Sequence, residues 1–184
     1  MKLLLRLAEP EELPDILQLQ ALSLRILLAS TTDPETLESL IRHQQLEREK
    51  LDELILVATC NHDFVGFVAL QMLQAQISGL FIHPDFVRQG IGSELVLAVE
   101  ALMHRKNRRS LTVMASEYAK PFYKHMGFKT IRRHYLFVQR RQKVRVFWMR
   151  KSLRDVTPEE EQQQTTVFAV LTILTILSVL AAIA

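Results

Sequence analysis

Short runs of branched apolar residues alternate along the first 154 residues with stretches in which apolar positions recur every three or four residues. The two periods mark strands and helices respectively. Leu3–Leu7 predicts a first strand. Pro10, followed by Glu11 and Glu12, predicts the opening of a helix whose apolar stripe is Leu13, Ile16, Leu17, Leu19, Leu24, Leu27 and Leu28. Asp33 before Pro34 predicts a capped second helix through Leu37, Leu40, Ile41 and Leu46 into a charged stretch ending near Lys50.

Leu54–Cys60 and Phe64–Leu73, separated by Asn61-His62-Asp63, read as a hairpin, and Gln76–Ile82 as a further strand stopped by Pro84. After the segment Arg88–Gly92 a helix is expected to about Arg105, burying Leu95, Val96, Val99 and Leu102. Leu111–Met114 predicts a strand, and Tyr118–Met126 a short helix closed by Gly127 as a left-handed cap. Phe128–Val138 and Val144–Met149, joined by Gln139–Lys143, predict a closing hairpin. The order β-α-α-β-β-β-α-β-α-β-β mixes hairpins with crossovers, which implies an α+β fold with a mixed sheet.

The last residues break the pattern. After the polar run Glu159–Gln164, Thr165–Ala184 carries no charge over 20 residues. As a helix with ~1.5 Å rise per residue it would span ~30 Å, the thickness of a bilayer core. The expected organisation is a folded domain over residues 1–154, a polar linker over 155–164 and a transmembrane helix over 165–184. Entry after synthesis, as a tail anchor, would leave the domain in the cytosol. Arg150, Lys151 and Arg154 ahead of the segment agree with that orientation. Thr172, Thr175 and Ser178 offer small side chains through which such helices self-associate.

Charge sharpens the picture more than composition does. The net charge is only +3, but Glu117 is the one acid between Arg105 and Arg154, so one end of the domain is basic and suits a phosphorylated ligand or an anionic surface. No nucleic-acid motif accompanies that stretch, and its aromatic residues fall in apolar strands, so nucleic acid is not an expected partner. The single Cys60 forms no internal disulfide, and no Cys/His cluster has metal-ligand spacing, so no metal is expected. The N-terminal Leu3–Leu7 run is cut by Arg6 and Glu9 before it reaches the length of a signal-peptide core.

Candidate chemistry lies where the strand Gln76–Ile82 enters a loop holding Gly90 and Gly92 and a helix follows at once. Unpaired amides and the positive helix end favour an anion there, and Arg88 adds charge. No Gly-Lys-Ser/Thr follows, and the third glycine of a dinucleotide fingerprint is missing, so neither a Walker loop nor a Rossmann site fits.

The run Ile82-His83-Pro84-Asp85-Phe86-Val87-Arg88-Gln89-Gly90-Ile91-Gly92-Ser93-Glu94-Leu95 resembles motif A of the GCN5-related N-acetyltransferase (GNAT) family. The segment Leu111–Phe128 resembles its motif B, in the same order and spacing. The resemblance implies a mostly antiparallel mixed sheet flanked by helices, and acetyl-CoA as co-substrate. It implies that Val87, Arg88, Gln89, Gly90, Ile91, Gly92 and Ser93 hold the CoA pyrophosphate, and that the strand backbone at Phe81 and Ile82 pairs with the pantetheine arm. Val87 departs from the family motif, which carries Gln or Arg there.

By the same resemblance Tyr123 is the general acid for the departing thiolate. Many relatives place a carboxylate on the strand before the loop, but Gln76–Ile82 has none. That leaves His83, beside Asp85, or ordered water to take the proton of an unidentified amine acceptor, with Ser23 and Arg25 as candidates for lining its site. The missing carboxylate also leaves open a membrane-tethered acyl-CoA-binding module without catalysis.

Overall fold

The computed structural model describes residues 2–29, 32–50, 52–139 and 142–153. Contacts divide the chain into Met1–Leu153 and Arg154–Ala184. The linker and membrane helix expected at 155–164 and 165–184 lie outside the described residues, among which no helix is long and apolar enough to cross a membrane.

Seven strands form one sheet: β1 (Leu3–Leu7), β2 (Leu54–Cys60), β3 (Asp63–Gln71), β4 (Gln76–Ile82), β5 (Ser110–Ser116), β6 (Lys129–Gln139) and β7 (Gln142–Ser152), in the spatial order β1-β2-β3-β4-β5-β7-β6. Every neighbouring pair is antiparallel except β4 and β5, which are parallel. That single parallel ladder has two rungs, Gln76 with Thr112 and Ile77 with Val113. Beyond them β4 and β5 share no further rung, and the sheet opens along the second half of both strands.

Four helices cover the sheet: α1 (Leu13–Leu28), α2 (Pro34–Lys50), α3 (Ile91–Arg105) and α4 (Lys120–His125). The start expected at Pro10 is a 3-10 turn over Pro10–Glu12, and the α-helix begins at Leu13. Pro14 lies in that first turn, where a missing N–H costs nothing. Asp33 caps α2 by accepting from the Thr36 amide at 3.0 Å. α4 is shorter than the Tyr118–Met126 expected, and β5 is longer than Leu111–Met114 because β7 pairs with it from Ser110 to Ser116.

The two faces of the sheet are packed separately. Ile91, Leu95, Val96, Val99 and Met103 of α3, with Tyr123 of α4, bury against Val68, Leu70, Ile77, Val113, Phe147 and Met149. On the other face Ile16 and Leu19 of α1 meet Val57, Phe67 and Ala69, while Leu24 joins Leu37 and Ile41 of α2. Arg48 and Gln20 are buried on that second face, although the sequence places Arg48 in a charged stretch and Gln20 as an interruption of an apolar stripe.

Candidate active site

Pro84 starves β4 of its next ladder donor and starts a 3-10 turn over Pro84–Phe86. His83 caps that turn: its Nδ1 accepts from the Asp85 amide at 3.3 Å, and its ring meets Phe86 edge-on at 5.8 Å. The chain then reverses through Arg88 at φ 64° and Gly90 at φ 83°. A left-handed arginine is a strained choice, of the kind that persists where surrounding structure holds it in place. Val87 is extended and 51% exposed, so it offers its main chain to the loop and its side chain to solvent. Gln89 donates from Nε2 to the Asp85 carbonyl at 3.3 Å, which ties the loop to its own base.

Backbone accounting identifies the free donors. The amides of Ser93 and Glu94 both close on the Gly90 carbonyl, at 2.9 and 3.1 Å, so the only donor Ser93 has left for an anion is its hydroxyl. Arg88, Gln89, Gly90, Ile91 and Gly92 donate no backbone hydrogen bond among the described residues. A Cβ at Gly90 would point into open space, and one at Gly92 would make only ordinary contacts with Phe122 at 3.5 Å and Ile82 at 3.9 Å. The fold therefore has no steric need for glycine at 92. A ligand approaching the main chain does, and the residues fit a pyrophosphate held by amides at the start of α3.

Below this loop, past Ile77, the edge of β4 that faces β5 has no ladder partner, and Phe81 and Ile82 lie on that stretch. Ser23 of α1 is spent on the Ile82 carbonyl at 3.1 Å, and Arg25 forms an exposed pair with Glu38 at 2.7 Å. Both therefore hold structure in place. Tyr123, on α4, belongs to the core under α3, against which Ile82 of β4 also packs. Its ring is 4% exposed and packs edge-on against Phe122 at 5.1 Å and Phe128 at 5.3 Å. Burial pushes the phenol well above its ordinary value, so it keeps its proton across the physiological range.

Three groups escaped the sequence reading. Among the described residues, Glu53 Oε1, Ser78 Oγ and His134 Nε2 are buried without a hydrogen-bond partner. Ser78 is the extra residue of a bulge, since Leu70 pairs with Ile77 and Ala69 with Gly79. His134 lies on the rung with Val146 and Ser116, beside Trp148 at 6.2 Å, and burial with Arg132 nearby lowers its pKa. No local pattern announces any of the three. Among the described residues no cluster of His, Cys, Asp or Glu could hold a metal ion.

A mostly antiparallel sheet opened between two parallel strands, with free amides at a helix start on one side of the opening, is the arrangement that the resemblance to acyl-CoA-dependent transferases implies. Comparison with known proteins agrees. The acetyltransferase (GNAT) domain model matches residues 16–153, so the chain belongs to the GNAT family, whose members are N-acetyltransferases using acetyl-CoA as co-substrate. It is similar to the uncharacterized N-acetyltransferase YafP of Escherichia coli strain K12, 28% identical over 64% of this chain and 77% of that one. Among solved structures it resembles a GCN5-related N-acetyltransferase of Rhodopseudomonas palustris, named as an aminotransferase of class II, with TM-score 0.73 and 26% identity over 83% of this chain and 96% of that chain. The PaiA N-acetyltransferase of Thermoplasma acidophilum, in complex with coenzyme A, shares the fold with TM-score 0.66 at 22% identity, over 83% and 99% of the two chains.

Proposed function

We propose that the amides of residues 88–92 hold the pyrophosphate of acetyl-CoA, that the open edge of β4 at Phe81 and Ile82 receives the pantetheine arm, and that an amine attacks the thioester in the gap between β4 and β5. The observation that carries this reading is the row of unpaired amides from Arg88 to Gly92 around a glycine that the fold itself does not require. Binding of coenzyme A by a PaiA relative of the same fold supports it. Acetyl-CoA supplies the activated acyl group.

Tyr123 holds its proton at Oη beside the gap. Transfer of that proton to a free thiolate, of pKa ~8.5 against ~10 for an ordinary phenol, is already uphill. Burial widens the difference. The phenol therefore serves as a hydrogen-bond donor to the developing thiolate, and gives up its proton only where the sulfur shares the same dry surroundings. His83 uses Nδ1 as a cap acceptor, which leaves Nε2 as its route for taking the amine proton, beside a water chain.

The tail is read as an anchor: the uncharged run 165–184, preceded by Arg150, Lys151 and Arg154, supports insertion in a membrane with the enzyme on the cytosolic side. Flotation of the full chain with vesicles, lost on removal of residues 165–184, would support this, and a soluble full chain would refute it.

Calorimetry with acetyl-CoA tests the main reading. Gly90→Glu places a carboxylate where the phosphate would lie, and is expected to weaken binding by ~10³-fold. No binding by folded wild-type protein would sink the reading. Binding without turnover of any amine would favour a tethered acyl-CoA-binding module, the reading that the carboxylate-free strand Gln76–Ile82 suggests.

A further inference from the structure

The end of the sheet opposite the loop Arg88–Gly92 carries charge that neither the loop nor Tyr123 uses. α3 ends there at Arg105, and both Arg105 and Lys106 are exposed. Lys129 is exposed at the start of β6, on the rung with Arg150. Lys151 is spent on Glu100 at 2.7 Å. The acidic stretches at this end, Glu9–Glu12 and Asp52-Glu53, flank β1 and β2 at the far edge of the sheet. The half that runs from β4 to β6 is therefore basic.

Beside these cations stands Leu73, at 82% the most exposed large apolar side chain among the described residues. It lies in the turn between β3 and β4, and that turn is held on both sides. Arg108, just past α3, donates from Nη2 to the Met72 carbonyl at 3.1 Å, and the Thr112 amide of β5 donates to the Ala75 carbonyl at 2.9 Å. A lone exposed leucine is ordinary. One fixed at the rim of a basic surface has the make-up of a group that enters the headgroup boundary while the cations meet phosphates. The chain also leaves the domain here. The Leu153 amide donates to the Arg109 carbonyl at 2.8 Å, and residues 154–164 alone separate Leu153 from the uncharged run that starts at Thr165. Such a stretch reaches at most about 40 Å.

We propose that this end of the domain docks on a membrane surface rich in anionic lipid, with Leu73 in the interface and Arg105, Lys106 and Lys129 against headgroup phosphates. The proposal builds on the anchor reading of residues 165–184. A nucleic-acid backbone would answer the same cations but leaves Leu73 without a role, which favours lipid. α3 spans about 22 Å between this end and the loop Arg88–Gly92, so docking keeps the acyl-CoA loop in water.

The test uses the full chain with a fluorophore on Leu73→Cys or, at the other end of β3, on Asp63→Cys, since the native Cys60 is buried. Vesicles are phosphatidylcholine alone or mixed equally with phosphatidylserine, with brominated lipid as quencher. Flotation on phosphatidylcholine alone reads the anchor. On mixed vesicles the label at 73 is expected to be quenched and the label at 63 to stay bright. Arg105→Gln with Lys106→Gln should lower the ratio of docked to undocked domain by about 10-fold or more, and added salt should act in the same direction. A chain that floats on both vesicles with equal quenching at 73 and 63, or with no response to the charge variant, overturns this proposal and leaves the anchor standing. A chain that floats on neither overturns both. Flotation on mixed vesicles alone, with quenching at 73, sinks the anchor and keeps the docking surface. A double-stranded oligonucleotide that displaces the mixed vesicles and binds Leu73→Ser equally well would assign the cations to nucleic acid and overturn the lipid assignment.

Discussion

The two faces of the sheet are held by different physics. Under α3 and α4 the contacts are almost wholly apolar, with Tyr123 and Cys60 among them, and the buried Glu100 of α3 pairs with Lys151 at 2.7 Å at their margin. Under α1 and α2 an apolar patch of similar kind surrounds a guanidinium, a carboxylate and an amide that depend on one another. The first arrangement can be repacked with other apolar side chains of similar volume. The second cannot be changed one residue at a time, since each buried polar group must keep its match.

Breaking each face should give losses of similar size but opposite reparability. Leu95→Ala, on the α3 side, is expected to cost about 3 kcal/mol through the cavity it leaves. Arg48→Met is expected to cost about 3 kcal/mol by stranding Glu53, yet Arg48→Met with Glu53→Met should recover most of it, because apolar filling replaces a buried pair at little net cost. Denaturant midpoints of the three variants check this, and a double variant no better than the single one would show that the faces do not differ in this way.

Tyr123→Phe should lower kcat by about 10²-fold while acetyl-CoA affinity changes little, which single-turnover rates and calorimetry can separate. Asp33→Ala removes the cap of α2 and should cost about 1 kcal/mol, read by thermal melting.

The smallest effect concerns Glu12, which accepts two hydrogen bonds from Arg6 at 2.7 Å. Its side-chain bond with Arg6, then its backbone bond at Glu9, lower its pKa from 4.5 to about 2. A depressed carboxylate stabilises the fold above its unfolded value and loses that contribution as pH falls from about 4.5 toward 2. Glu12→Gln should therefore flatten the acid limb of melting temperature against pH while leaving the rest of the curve in place.

The α3 face was the readable one. Its chemistry sits in one contiguous stretch, Ile82–Leu95, where the glycines, the strand and the helix start follow each other directly. The element order and the left-handed cap at Gly127, φ 87°, were also legible, being local. The face under α1 and α2 was not. Arg48 reads as one more charge in a polar helix end, and only Gln20, 28 residues away, together with Glu53 and the bare backbone at Gly79, shows why it is buried. The insertion of β7 between β5 and β6 was hidden for the same reason, since a terminal hairpin looks the same whichever strand lies inward.

The two rungs between β4 and β5 make this sheet a seam between two antiparallel blocks, β1-β2-β3-β4 and β5-β7-β6, each built of neighbours that pair without the other. A chain severed between α3 and β5, near Asn107, would separate along that line into two fragments with few main-chain bonds to restore. Reassembly would then rest on side chains, since the apolar face under α3 packs on Val113, Phe147 and Met149 of the second fragment, and a split form of this protein would show how far packing alone can restore a sheet.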